Sequence, residues 1–183
     1  MKQINLLKYI IVLCAFFGCT ESQINDEQLD VDSLTANLNE PCFSTTLIAG
    51  QHHEAGSVTV DIEDDNLIIT YTSNGEWVIG TTHLSIGNCD DDWAPLTGSG
   101  NPQVGQFEYT EPFSSGPYEV VYVISLDGLD DNYCFAAHAE VEGPTGGETA
   151  WAEGSQFDGN GWAMFVEATL SECEEDDGNN TPF

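Results

Sequence analysis

Residues 117–126 read PYEVVYVISL, and their spacing decides the class of fold. Tyr118, Val120, Tyr122, Ile124 and Leu126 recur at every second position, which places them on one face of an extended strand and leaves the intervening residues on the other. The same period runs outward in both directions. GSVTVDI (56–62) sets Val58, Val60 and Ile62 on one face, and NLIITYT (66–72) follows after the acidic turn Glu63 to Asp65. WVIGTTHLSI (77–86), NYCFAAHAEV (132–141) and GWAMFVEATL (161–170) read likewise. No window of helical length sustains a 3.6-residue period. The expectation is an all-β single domain of about seven to nine strands, an antiparallel β-sandwich of jelly-roll-like character.

The chain opens MKQINLLKYIIVLCAFFGCT, with Lys2 and Lys8 ahead of an apolar run that ends at Phe17 and a small residue, Gly18, before Cys19. This is the outline of a secretory signal peptide over residues 1–18. The run falls short of the about 20 apolar residues that a spanning helix needs. FFGC resembles a loose bacterial lipobox, which implies that Cys19 becomes the acylated first residue of the mature chain. Phe16 stands where leucine is usual. The resulting address is the bacterial outer membrane or cell surface, reached through a lipid anchor in the membrane.

Both basic residues of the chain, Lys2 and Lys8, lie in that leader, so the formal charge of −30 becomes −32 once it is removed. A surface with 32 acidic side chains and no Lys or Arg cannot neutralise phosphates, which excludes nucleic acid as a partner. Cations, neutral ligands such as glycans, and basic proteins are the partners that electrostatics permits. Acidity also serves solubility in salty water, where screening confines self-repulsion to about 8 Å.

Residues 19–40, CTESQINDEQLDVDSLTANLNE, are polar and lack aromatics, as expected of a flexible tether between lipid and domain. A coil of that length has an end-to-end distance of about 25 Å. Residues 41–173 form the expected β-domain, and 174–183 (EEDDGNNTPF) have the composition of an acidic disordered tail. Of six cysteines, four fall in the domain: Cys42, Cys89, Cys134 and Cys173. An even count in an exported chain points to two disulfides with three possible connectivities, and the preferred pairing is Cys42 with Cys173 and Cys89 with Cys134.

The runs LIAGQHHEAGSVTV (47–60), WVIGTTHLSIG (77–87), SGNPQVGQFEY (99–109), CFAAHAEV (134–141), ETAWAEGSQF (148–157) and GWAMF (161–165) together are similar to an extracellular β-domain that recurs in secreted and surface-anchored bacterial proteins. The resemblance spans Leu47 to Leu170 and rests on GQH, THL, SGNP, AAHA and ETAW. It implies an address and an architecture and no particular reaction, and it places Gln51, His52, His83, His138, Glu148 and Trp151 within the shared motifs.

In CFAAHAEV, a core face of Phe135, Ala137, Ala139 and Val141 sends His138 and Glu140 to the other side, and in WVIGTTHLSI the same alternation sends His83 outward with Thr81 and Ser85. Two histidines on one face, with a carboxylate such as Glu148 or Glu140, suit zinc or another divalent metal. Histidines satisfied by carbonyls or hydroxyls in a partly buried setting are the alternative. His52 and His53, in the loop-like AGQHHEAG, could join such a cluster or lie exposed.

Acidic groupings at residues 63–66, 90–92, 127–132 and 158–160 offer oxygens for calcium, although Asp, Asn and Gly are also what tight turns require. Trp93 and Trp151 could present flat faces to a sugar ring, or Trp151 could plug one end of the fold. No catalytic motif is present: there is no G-x-S-x-G elbow and no phosphate-binding glycine loop. Two functions follow as expectations. One is a surface-displayed binding or adhesion module for a neutral glycan or a divalent cation. The other is a metal-assisted hydrolase built on the His83 and His138 face, with Glu148 and Trp151 as neighbours.

Overall fold

The computed structural model describes residues 40–112 and 116–173. The expected signal peptide, Cys19, the expected tether except Glu40, and the expected acidic tail lie outside them. The described chain is all-β, with strands β1 (Phe43–Ala49), β2 (His53–Glu63), β3 (Asn66–Ser73), β4 (Val78–Asn88), β5 (Tyr109–Glu111), β6 (Glu119–Ser125), β7 (Asn132–Gly143), β8 (Gly146–Ala152), β9 (Ser155–Gln156) and β10 (Met164–Thr169). Only two short 3-10 turns, Val104–Gln106 and Leu170–Glu172, interrupt them. No helix among the described residues is long and apolar enough to cross a membrane.

All pairings between named strands are antiparallel. The strands follow one hydrogen-bonded path, β5-β4-β7-β8-β1-β2-β3-β6, with β10 added alongside β7 and β9 alongside β10. This sheet curls into a half-barrel. Its concave face holds the core: Val58, Val60, Leu67, Ile69, Tyr71, Leu84, Phe135, Ala137 and Ala139 are buried there. Alternation in the sequence therefore marks the inside of the curl. Burying a Val, Leu, Ile or Phe side chain stabilises by about 1.5–3 kcal/mol, so the period-two pattern dominates the choice of face.

Two devices bend the strands. Ile79 faces Val141 and Thr82 faces Ala139, so two residues, Gly80 and Thr81, oppose Glu140 alone. That bulge shifts the parity of β4 and turns Thr82 into the core, where its hydroxyl shares a 2.7 Å hydrogen bond with the Tyr122 hydroxyl. In β2, Leu47 faces Gly56 and Ile48 faces Glu54, which leaves Ala55 as the extra residue.

The two ends of the path approach one another through aromatic side chains. Tyr71 donates to the His83 carbonyl at 3.0 Å, and the rings of Tyr109 and Tyr122 lie 6.2 Å apart. At one end the seam is bridged by the segment before β6, where the Ile79 N–H donates to the Pro117 carbonyl and the Ser73 N–H to the Tyr118 carbonyl. Tyr118, just ahead of β6, is 58% exposed, outside the alternation that the sequence suggested for it.

Cys42 is joined to Cys173 and Cys89 to Cys134. The first closes the two ends of the described domain on each other, and the second ties the end of β4 to β7.

Candidate functional site

On the convex face, the central strands β4, β7 and β8 carry the histidines. His83 stands opposite His138 in the β4-β7 register, and His138 opposite Trp151 in the β7-β8 register. Thr110 of β5 faces His83 from the other side, and its hydroxyl lies 3.0 Å from His83 Nδ1. The result is a cross-strand row, Thr110–His83–His138–Trp151. Ring centroids are 5.5 Å apart between the two histidines and 4.8 Å between His138 and Trp151, which meet edge to face.

His138 is only 6% exposed, and its Nδ1 has no hydrogen-bond partner. Burial, assisted by His83, lowers its pKa to about 3. It is therefore neutral throughout the physiological range and unsuited to exchanging protons near pH 7. Burial also lowers the pKa of half-buried His83, with the charge of Glu140 pulling the other way. Trp151 is 5% exposed and packs its edge on Phe107, with Ala136 and Phe157 in the same second apolar cluster. Its ring is thus part of a packed outer layer and offers no open platform to a sugar.

The other candidates fall elsewhere. Glu148 stands three residues from Trp151 in β8, so it projects from the opposite face; it pairs with Val141, and its carboxylate lies against Gly50. It is not a neighbour of the histidine row. His52 is exposed in the turn between β1 and β2, beside Gln51 with its positive φ of 73°, and does not approach His83 or His138. His53 instead sits near Trp77, with rings 6.0 Å apart.

Among the described residues, no set of three or more His, Cys, Asp or Glu side chains could hold a metal ion. The acidic turns are occupied with local bonding: Asp131 accepts from the Ser171 N–H at 2.9 Å, and Asn88 caps Asp130 and reaches Asp91. Zinc and calcium are thus left with paired rather than grouped donors. What the row does supply is ring packing across β4, β7 and β8, joined to β5 by the contact of His83 with Thr110.

Beyond that row, at two-residue steps on the same face of β7, come Glu140 and Glu142, opposite Thr149 and Gly147 of β8. They line an open groove of about 810 Å³, completed by Val78, Ile79, Gly80, Gly116, Val141 and Glu148. Three of its wall positions are glycines, and the bulge at Gly80 brings the β4 backbone close to β7, where a Cβ would stand 3.0 Å from the Glu140 carbonyl. The groove is therefore shaped by backbone: Glu140, Glu142, Thr149 and half-buried Val78 share the His138 face, whereas Ile79 and Val141 are buried in the core and Glu148 belongs to the opposite face. Glu140 was legible as an outward carboxylate; Glu142 carries the same signal, alternation in AEVEG.

One further acid escaped sequence reasoning. Glu108 accepts from the Ser85 hydroxyl at 3.0 Å and from the Ile86 N–H at 2.9 Å, fastening the loop before β5 onto β4. Compared with known proteins, the chain matches no family model, no curated protein and no solved structure.

Proposed function

We propose that the protein is a surface-displayed, lipid-anchored binding module, and that its ligand is a neutral, hydroxyl-rich glycan seated in the groove of Glu140, Glu142 and Thr149. The observation that carries this reading is the groove itself. At about 810 Å³ it falls within the range of about 300–1,000 Å³ usual for ligand sites. Its carboxylates accept hydrogen bonds and offer none, so they want hydroxyl donors, and half-buried Val78, opposite Glu142, suits the C–H face of a sugar ring. Hydrogen bonds to charged acceptors contribute about 1.5–3 kcal/mol each, less where solvent screens them. A weak single site of this kind becomes effective on a surface through multiple copies.

The charge supports the neutral choice. No Lys or Arg follows residue 8, so an anionic polysaccharide meets repulsion with no cation to offset it. A divalent cation is the weaker reading because no three donors converge among the described residues. The metal-assisted hydrolase lacks a third ligand for the same reason. Two disulfides accord with an exported protein, and the lipid at Cys19 and the kinship with recurring extracellular β-domains belong to this proposal. So does a flattened, jelly-roll-like sandwich.

The test is a screen of neutral oligosaccharides against the full chain, followed by titration of the best binder into Glu140→Gln and Glu142→Gln. Each variant should weaken binding by about tenfold without changing the unfolding midpoint. Unchanged affinity in both variants, or no neutral binder at all, rejects the assignment.

A further inference from the structure

A second concave feature lies over β7 and β10, away from the groove. Trp93, Phe157 and Phe165 form a triangle of rings with centroids 5.9, 5.7 and 4.9 Å apart. They wall a cleft of about 310 Å³ whose rim carries Asp91, Asp92 and Asp158, all exposed. We propose that this cleft binds an organic cation, an alkylammonium group held against the aromatic faces with the carboxylates around it.

The face of an aromatic ring carries partial negative charge, and a cation over it is attracted more strongly the more completely it is desolvated. Phe157 is buried behind the cleft, so half-buried Trp93 and Phe165 are the rings open to a ligand, and with three acids on the rim they combine short-range and longer-range attraction for the same kind of ligand. No Lys or Arg among the described residues competes for that position. Calcium is the poorer fit, because it requires six to eight oxygens and the aromatic wall supplies none. A neutral sugar could stack on Trp93 but would gain nothing from the ionised rim beyond hydrogen bonds. The small volume, near the lower end for ligand sites, matches a single headgroup and not a chain of sugars.

The walls are held before any ligand arrives. The single Ser85 hydroxyl proton is shared between the Trp93 carbonyl at 2.9 Å and the Glu108 carboxylate at 3.0 Å, and the Phe157 N–H donates to the Ala163 carbonyl at 3.1 Å. Gly87 allows the close seating of Trp93, since a Cβ there would stand 2.8 Å from the Trp93 Cβ. Gly100, with φ of +80°, does the same against Asp158 and Gly159. A preformed site loses less ordering entropy on binding.

Such a cation could come from a free quaternary amine or from a lysine side chain of a basic protein. The experiment titrates the detergent-solubilised full chain with choline, with its neutral isostere 3,3-dimethylbutan-1-ol, and with a lysine-containing peptide, at fixed ionic strength, following tryptophan fluorescence and heat. Choline should bind at least about tenfold more tightly than the isostere. Asp158→Asn and Asp92→Asn should each weaken it by about threefold or more with the unfolding midpoint unchanged, and Trp93→Leu should abolish it. Preference for choline over the peptide identifies a small solute as the source, and the reverse identifies a partner protein. Equal binding of choline and its isostere, or no saturation by either cation up to about 50 mM, overturns the proposal. So does calcium binding that the three Asp→Asn variants abolish while choline affinity stays at zero.

Discussion

Replacing His138 by Phe should remove a pH dependence from the stability of this domain. In the folded protein His138 has a pKa of about 3, whereas an unfolded histidine titrates near 6.5. The unfolded chain therefore takes up a proton that the folded chain refuses as pH falls between these values. The stabilisation is fully present above pH 6.5 and is lost progressively below it. Linkage over that interval amounts to about 5 kcal/mol, of which about 2 kcal/mol is already lost at pH 5. His83, also lowered, acts in the same direction and stays in place in the variant. Phe keeps the ring against Trp151 and removes the unpartnered Nδ1, so at pH 7 His138→Phe should be as stable as wild type or better by about 1 kcal/mol. Urea unfolding at pH 7 and pH 5, with disulfides intact, measures the difference, because protonation of the many carboxylates is common to both proteins. Wild type should lose about 2 kcal/mol more than His138→Phe between the two pH values. Parallel losses would refute the assignment of a buried, neutral imidazole.

Three further outcomes are expected. Free-thiol titration of the unfolded, unreduced mature chain should find no thiol from Cys42, Cys89, Cys134 or Cys173, and opening the 131-residue Cys42–Cys173 loop should cost about 5 kcal/mol against about 4 kcal/mol for the 45-residue Cys89–Cys134 loop. Gly56→Ala should destabilise by about 1–3 kcal/mol, because a Cβ there would stand 1.9 Å from the Thr72 carbonyl oxygen; a variant with the wild-type melting point would show that β2 can shift. Cys19→Ser should move the protein from the membrane fraction to the soluble one, and continued membrane association would exclude acylation at Cys19.

Local alternation made most strands legible. GSVTVDI and VVYVIS bury Val58, Val60, Val120, Tyr122 and Ile124 as their period requires. Parity likewise brought His83 and His138 to one face, since each lies one residue from a core position, Leu84 and Ala137. The same rule argues against Glu148 as their neighbour, because Glu148 and Trp151 are an odd number of residues apart in one strand. Other features depend on distant chain segments. Thr82 shares the inward parity of Leu84, but Trp77 and Ile79 are buried on the other parity, and WVIGTTHLSI does not say that the break between them falls at Gly80 and Thr81. Tyr118 has the parity of Val120 but lies ahead of β6 and stays exposed. Whether ten strands form two sheets or one curled path is set by which edges meet, a long-range matter that strand patterns do not encode. The outer apolar layer was hidden for a related reason: Trp93, Phe107 and Phe157 come from loops, and only Ala136 and Trp151 among its buried members are strand residues.

The central claim, that the groove beside β7 and β8 binds a neutral glycan, is tested most directly by mapping backbone amide shifts of the isotope-labelled protein during titration with the best neutral oligosaccharide. The saturating shifts should centre on Gly80, Glu140, Glu142, Gly147 and Thr149, which face or frame the groove, while the amides around Trp93 and Phe157 stay still. Saturating shifts confined to the Trp93 cleft, or no saturation with any neutral sugar, would contradict it.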